Sequence, residues 1–216
     1  MTAKRKVANP LALAVLACLF EKPMHPYEMA TTMRERHKDE SIKLNYGSLY
    51  TVIGALQRHC LIEPQETGRE GNRPERTVYR IADAGRLELI DWLSELLVEP
   101  AHEYTQFEAG LSLLPVLPPD GARALLAQRC SRIERELEEA KAARKFIAER
   151  KIPRLFSIES EYRWRLREAE LQWVKELIAE IESGALDGLA MWRDFHARSA
   201  ERGGNVIPFG VKMGER

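Results

Sequence analysis

Apolar positions along this chain fall mostly at helical spacing, with one short alternating stretch between residues 61 and 81. Leu11, Leu13, Val15, Leu16 and Leu19 follow Asn9-Pro10 almost without a polar break, which predicts a buried first helix. Asn9 is a good cap and Pro10 suits a first helical turn; Lys22-Pro23 ends the run. A second helix starts at His25-Pro26 and runs to about Lys38, with Tyr27, Ala30, Met33 and Arg34 recurring at helical spacing. A third runs from Tyr46 to about Cys60 behind Asn45 as a cap. Its core stripe is Leu49, Val52, Ile53, Leu56 and Cys60. The stretches 61–67 and 77–81 then predict two strands. The second is the clearer, being alternating and rich in β-branched and aromatic residues, whereas Pro64 confines the first to an edge. The loop from Gly68 to Arg76 between them is turn-rich and holds three arginines.

The rest of the chain reads as helices. Asp83 is placed to cap a helix over 84–97, with Leu87, Ile90, Leu93 and Leu97 on one stripe and Glu99-Pro100 beyond it. A shorter helix over 103–114 stops at Pro115. Asp120 caps a long helix to about Lys151. Within it Leu126, Cys130, Ile133, Leu137, Ala140, Arg144 and Ile147 form a heptad seam that Arg144 interrupts. A last helix over 157–182 carries Tyr162, Leu166, Ala169, Trp173, Leu177 and Ile181. Gly184 and Gly188 loosen its end, and 199–216 read as a flexible tail. The stripes of the two long helices are wider than one partner needs. The expectation is a symmetric homodimer with contacts at Leu126, Cys130, Ile133, Leu137 and Ile147.

Composition narrows the class. Lys plus Arg and Asp plus Glu are both 33 in 216 residues, which excludes a polycationic coat but not a local basic patch. With 31% charged and 44% hydrophobic residues, the chain is neither disordered nor membrane-embedded. Its longest apolar run, 11–20, is half a membrane span. Lys4, Arg5 and Lys6 precede that run as in a signal peptide, but no small-residue cleavage site follows, so a cytoplasmic protein is expected. Residues 1–90 hold 14 basic and 11 acidic side chains, a balance of +3; the remainder holds 19 and 22, a balance of −3. Cys18, Cys60 and Cys130 are widely spaced, form no CxxC pair and each fall on an apolar stripe. They read as reduced core residues, with no metal and no cofactor implied. Enzyme motifs fail: after His102-Glu103 position 106 is Gln, and after Gly110-Leu111-Ser112 position 114 is Leu.

The face of the third helix opposite Leu49 holds Gly47, Thr51, Gly54, Ala55 and Arg58, flanked by Ser48 and Tyr50. A small, polar, positively tipped face can enter a DNA major groove, where bulk would hold the backbone away. It also fits an ordinary solvated surface. Three arginines in the loop between the strands suit phosphate contact. The order helix, helix, helix, ribbon is that of a winged helix-turn-helix. The fold class read here is mainly α. A winged helix-turn-helix occupies 1–98, a helical dimerisation and effector domain 99–198, and a tail 199–216.

At the motif level the chain resembles the PadR family of bacterial transcription regulators. The matching residues are Leu16-Ala17-Cys18-Leu19, His25-Pro26-Tyr27-Glu28, Gly47-Ser48-Leu49-Tyr50, and the run Leu56-Gln57-Arg58-His59-Cys60-Leu61-Ile62. Val78-Tyr79-Arg80-Ile81 and Asp83-Ala84-Gly85 complete the set. Pro26 stands where the family usually has Gly, Thr51 where it has Pro, and His59-Cys60 where it has an acidic-Gly turn. The resemblance implies a DNA-binding, dimeric regulator whose C-terminal helices make the dimer and which binds flat aromatic or hydrophobic compounds. On that reading Tyr46, Ser48, Tyr50, Thr51 and Arg58 meet DNA, and Tyr27 reaches a phosphate. Arg69, Asn72, Arg73 and Arg76 hold the backbone, with Lys4, Arg5 and Lys6 adding a phosphate contact. Phe107, Trp164 and Trp173 are the effector candidates. Two reading helices related by a two-fold axis require a double-stranded operator with an inverted repeat. The combined expectation is an effector-responsive repressor. The alternative is a winged-helix protein-interaction adaptor without its own operator.

Overall fold

The computed structural model describes residues 5–65 and 77–201, the last three by backbone alone. It divides into two compact units, Met1–Glu103 and Tyr104–Arg216.

In the first unit, α1 (Pro10–Glu21) is capped by Asn9, whose side chain accepts from the Leu11 amide at 2.9 Å. Helix α2 (Pro26–Glu35) is capped by the His25 ring, which accepts from the Glu28 amide at 3.2 Å. It ends earlier than its periodicity suggests. His37 turns the chain with φ of 54° into a single 3-10 turn, Lys38–Glu40. Helix α3 (Tyr46–Arg58) starts on Asn45, which accepts from the Ser48 amide at 2.7 Å. Strands β1 (Ile62–Gln65) and β2 (Val78–Ile81) pair antiparallel, Ile62 opposite Ile81 and Gln65 opposite Val78. Met24 adds an antiparallel bridge to Tyr79, through two bonds of 3.0 and 2.9 Å. Helix α4 (Asp83–Val98) closes the unit.

One continuous core joins these elements. Leu11, Leu16 and Leu19 of α1 meet Met29 and Met33 of α2, Leu49 and Leu56 of α3, Ile62, Ile81, Leu89 and Trp92. Three expectations change here. Cys60 is exposed rather than in the core stripe, because the helix ends at Arg58 and Cys60 takes a left-handed φ of 56°. Asp83 is not the cap of α4; Ala82 is, with no side-chain bond. And α4 buries Gly85, Leu89 and Trp92, leaving Leu87, Ile90, Leu93 and Leu97 exposed. A leucine-rich helix offers two apolar stripes, and the one beside glycine can approach the ribbon.

Arg5 is not a free cation for phosphate. It bonds Glu88 at 2.6 Å and Asp91 at 2.9 Å, also pairs with Glu95, and lies over the Trp92 ring. Burial opposes its charge, but these carboxylates outweigh that and hold the guanidinium above its usual range. Lys4 lies outside the described residues.

The second unit is helical. Helix α5 (Gln106–Ser112) starts three residues later than expected and is capped by Thr105. Helix α6 (Pro119–Glu149) has Pro118 at its cap, with Asp120 inside its first turn. Helix α7 (Ile158–Ser183) ends on Gly184, at φ of 82°. Beyond it the sequence reading missed α8 (Leu189–Glu201), which occupies part of the stretch read as tail. This helix is fastened to the turn before α6. The Trp192 indole donates to the Leu117 carbonyl at 2.9 Å, and His196 Nε2 lies 3.0 Å from the Pro115 carbonyl.

The heptad seam of α6 is used inside the chain. Leu126 and Cys130 are buried with Val174, Ile181, Leu189 and Trp192, and Ile133 is buried as well. Leu137 and Ile147 are half-buried. On α7 the stripe expected from the sequence splits. Ile181 is buried and Leu177 half-buried, while Tyr162, Leu166 and Trp173 stay exposed.

Candidate nucleic-acid interface and effector cavity

The outward side of α3 carries the small, polar surface opposite Leu49. Thr51 and Arg58 are exposed and Ser48 is half-buried, while Gly54 and Ala55 are only partly open. The Thr51 hydroxyl donates to the Gly47 carbonyl at 2.9 Å, so it faces outward with its proton satisfied and an acceptor lone pair left over. Gly47 and Thr51 keep side-chain bulk low over that turn.

Beside this surface stands a row of aromatic rings built from two helix starts. Tyr27 and Tyr46 stack 6.4 Å apart with planes 9° from parallel, and His25 stacks on Tyr27 at 6.2 Å. Both tyrosines hold first-turn positions, Tyr27 on α2 and Tyr46 on α3. Tyr27 and Tyr50 are each 59% exposed and Tyr46 is 42% exposed, an unusual openness for large rings that are not in a core. Sequence reasoning missed one member. The Arg34 guanidinium lies 4.9 Å from the Tyr46 ring centre, and its Nη1 donates to the Tyr46 hydroxyl at 3.0 Å. In the sequence Arg34 stands only as a helix-spacing residue. Its partner is twelve positions away, so no local pattern in α2 could reveal it.

Most neighbouring cations are already spent. Arg36 bonds Glu21 at 2.8 Å, and this holds the Glu21 carboxyl below the usual carboxylate range. Lys22 pairs with Glu28 at 2.6 Å and Arg80 with Glu63 across the ribbon. Arg69, Asn72, Arg73 and Arg76 lie outside the described residues.

The second unit contains a cavity of about 460 Å³. Phe107, Leu111, Leu114, Leu125, Leu126 and Ile133 give it apolar walls; Arg129, Arg132, Arg167 and Glu136 give it charged ones. Arg129 lies 3.6 Å over the Phe107 ring and also pairs with Glu170. Arg167 pairs with Glu170 at 2.7 Å and with Glu136 at 3.2 Å. Of the three effector candidates only Phe107 lines this cavity. Trp173 meets Phe107 edge-on at 6.4 Å, and Trp164 sits under the Arg144 guanidinium. Arg165 faces Glu168 at 3.9 Å, and Glu161 is taken up by Arg154 at 2.8 Å. Among the described residues no group of three or more His, Cys, Asp and Glu side chains could hold a metal, and no helix is long and apolar enough to cross a membrane.

Comparison with known proteins agrees with the motifs. Residues 15–91 match the model of the transcriptional regulator PadR-like family, the family the sequence resembles. No curated protein matches the chain. Among solved structures, Bacillus subtilis PadR in complex with operator DNA superposes with a TM-score of 0.62 at 18% identity, covering 81% of this chain and 99% of its own. The same regulator in complex with p-coumaric acid gives a TM-score of 0.62 at 16% identity, covering 80% and 98%. The Vibrio cholerae virulence activator AphA gives 0.57 at 19% identity, covering 80% and 98%. These likenesses establish the fold: a winged helix-turn-helix followed by helices.

Proposed function

We propose that this chain, with its PadR-like winged helix-turn-helix over residues 15–91, is a dimeric, cytoplasmic regulator that binds a double-stranded operator and represses until an effector arrives. The observation that carries the reading is the exposed surface at the start of α3. Open tyrosines, a bulk-free turn at Gly47 and Thr51, and Arg58 at the far end stand together where a winged helix presents its reading helix. Tyr46, Ser48, Tyr50, Thr51 and Arg58 then meet DNA from α3. Tyr27 faces a phosphate, and Arg69, Asn72, Arg73 and Arg76 hold the backbone from the wing.

The dimer is supported by surface left uncovered in the single chain. Tyr162, Leu166 and Trp173 recur along one side of α7 at spacings of 4 and 7, and all remain exposed. Exposed apolar stripes of this kind mark interfaces. Leu126, Cys130 and Ile133 serve the chain's own core, so we assign the α7 stripe to the partner in their place. Effector binding is supported by the cavity, whose apolar walls and Arg132 suit an aromatic or hydrophobic compound with a polar end.

The test is an anisotropy titration of the full chain on the duplex upstream of its own coding sequence and on a random duplex. Expected is tighter binding to the first, a steep loss with added salt, and a footprint with two-fold symmetry and half-sites about 10 bp or a multiple apart. Binding that salt leaves unchanged would favour the protein-interaction adaptor instead.

A further inference from the structure

We infer that Arg34 is a phosphate-contact residue of this interface, held in position by Tyr46, so that Arg34, Tyr46 and Tyr27 act as one backbone clamp beside the reading helix. The inference rests on the DNA-binding reading above and adds a residue and a role to it.

Four observations carry it. First, the guanidinium has two contacts that place it: the bond from Nη1 to the Tyr46 hydroxyl is 3.0 Å and the ring centre lies 4.9 Å away. Second, that partner is a hydroxyl and not a carboxylate, so the positive charge of Arg34 is not offset by an ion pair. Among the described residues Arg34 makes no ion pair, whereas Lys22, Arg36 and Arg80 each do. Asp39 acts on it only through space. Third, a guanidinium has five N–H donors in a planar fork, and one bond to Tyr46 leaves most of them for phosphate oxygens. Fourth, the rings are ordered by stacking at 6.4 Å and 6.2 Å along Tyr46, Tyr27 and His25, so the surface beside the cation is preformed. A bound phosphate would thus meet a positioned charge with two tyrosines alongside, at little cost in side-chain ordering.

Arg34 therefore does two jobs. It supplies charge, and it fixes the first residue of α3. Three variants separate them. Arg34→Met removes the charge and the fork but keeps an apolar stem. Arg34→Lys keeps the charge and loses the planar fork. Tyr46→Phe keeps the ring and loses the hydroxyl.

Each full-length variant is titrated by anisotropy against the duplex upstream of the coding sequence and against a random duplex, over a series of salt concentrations. Circular dichroism melts confirm that each is folded. Arg34→Met should lower the salt slope by about 1 on both duplexes and weaken binding roughly eightfold at 0.1 M salt. Arg34→Lys should restore the slope without restoring full affinity for the upstream duplex. Tyr46→Phe should keep the slope and weaken the upstream duplex more than the random one. An unchanged slope in folded Arg34→Met, with wild type binding normally, overturns the clamp and leaves the DNA-reading function standing. Wild type that fails to bind either duplex overturns both.

Discussion

The backbone carbonyl of Leu61 stands where a side chain at position 85 would have to go, so Gly85 is the residue that lets α4 close on the ribbon. That oxygen cannot step aside freely, since it accepts from the Ala82 amide at 3.0 Å. Gly85→Ala should therefore destabilise the first unit by about 1–3 kcal/mol, the usual cost of forcing bulk into a filled site. Gly121→Ala is the control. It sits in the first turn of α6 with its nearest neighbour 3.8 Å from a new methyl, so it should be neutral or slightly stabilising. Urea midpoints of both variants decide the matter; equal midpoints would contradict the close approach.

The thiols should differ sharply in behaviour. Cys60 is exposed, whereas Cys18 is buried and burial pushes its thiol up to about 11. A thiol reagent should label Cys60 first and reach Cys18 only on unfolding. A pH dependence follows. Between the ordinary value and about 11 the unfolded chain has lost the Cys18 proton and the folded chain keeps it. Stability should then fall as pH rises through that window, by an amount on the order of 2 kcal/mol. Cys18→Ala should flatten that part of the curve in chemical denaturation. A decline of the same size in the variant would assign it to other groups.

Oligomeric state separates the two faces of the long helices. Leu166→Asp with Trp173→Glu changes only exposed positions of α7, so helicity should survive while sedimentation shifts from dimer to monomer. Ile133→Asp puts a charge at a buried position and should cost helicity itself. A wild-type protein that sediments as a monomer at micromolar concentration would remove the dimer from the proposal.

Base reading and backbone holding should respond differently to substitution. Thr51→Trp places bulk on the outward face of α3 and should reduce binding to the operator much more than to random duplex. Arg73→Ala should weaken both alike and lower the salt slope by about 1. Normal operator binding by Thr51→Trp would show that this turn of α3 does not approach bases.

The sequence disclosed elements better than it disclosed partners. Asn9, His25-Pro26 and Asn45 are local signals, and α1, α2 and α3 begin where they indicate. Periodicity also marked the apolar seam of α6, but a heptad states only that a face is buried, not which chain buries it. Here α7 and α8 do so. In α4 two stripes of leucine compete, and the choice falls to Gly85, whose effect depends on Leu61 across the ribbon. The contacts of Arg34 and Arg5 are illegible in the sequence for one reason. What a cation does depends on its spatial neighbours, and theirs are 12 and more than 80 residues away.

The closure of α1 by α4 also bears on how the protein is made. Leu11 and Leu16 begin the core that Leu89 and Trp92 finish, and Arg5 waits for Glu88, Asp91 and Glu95. During synthesis the first unit therefore cannot complete itself until some ninety-five residues have left the ribosome. Until then α1, the most apolar stretch of the chain, has only part of its cover. A nascent chain stalled before α4 should be a chaperone client, and one released past it should not.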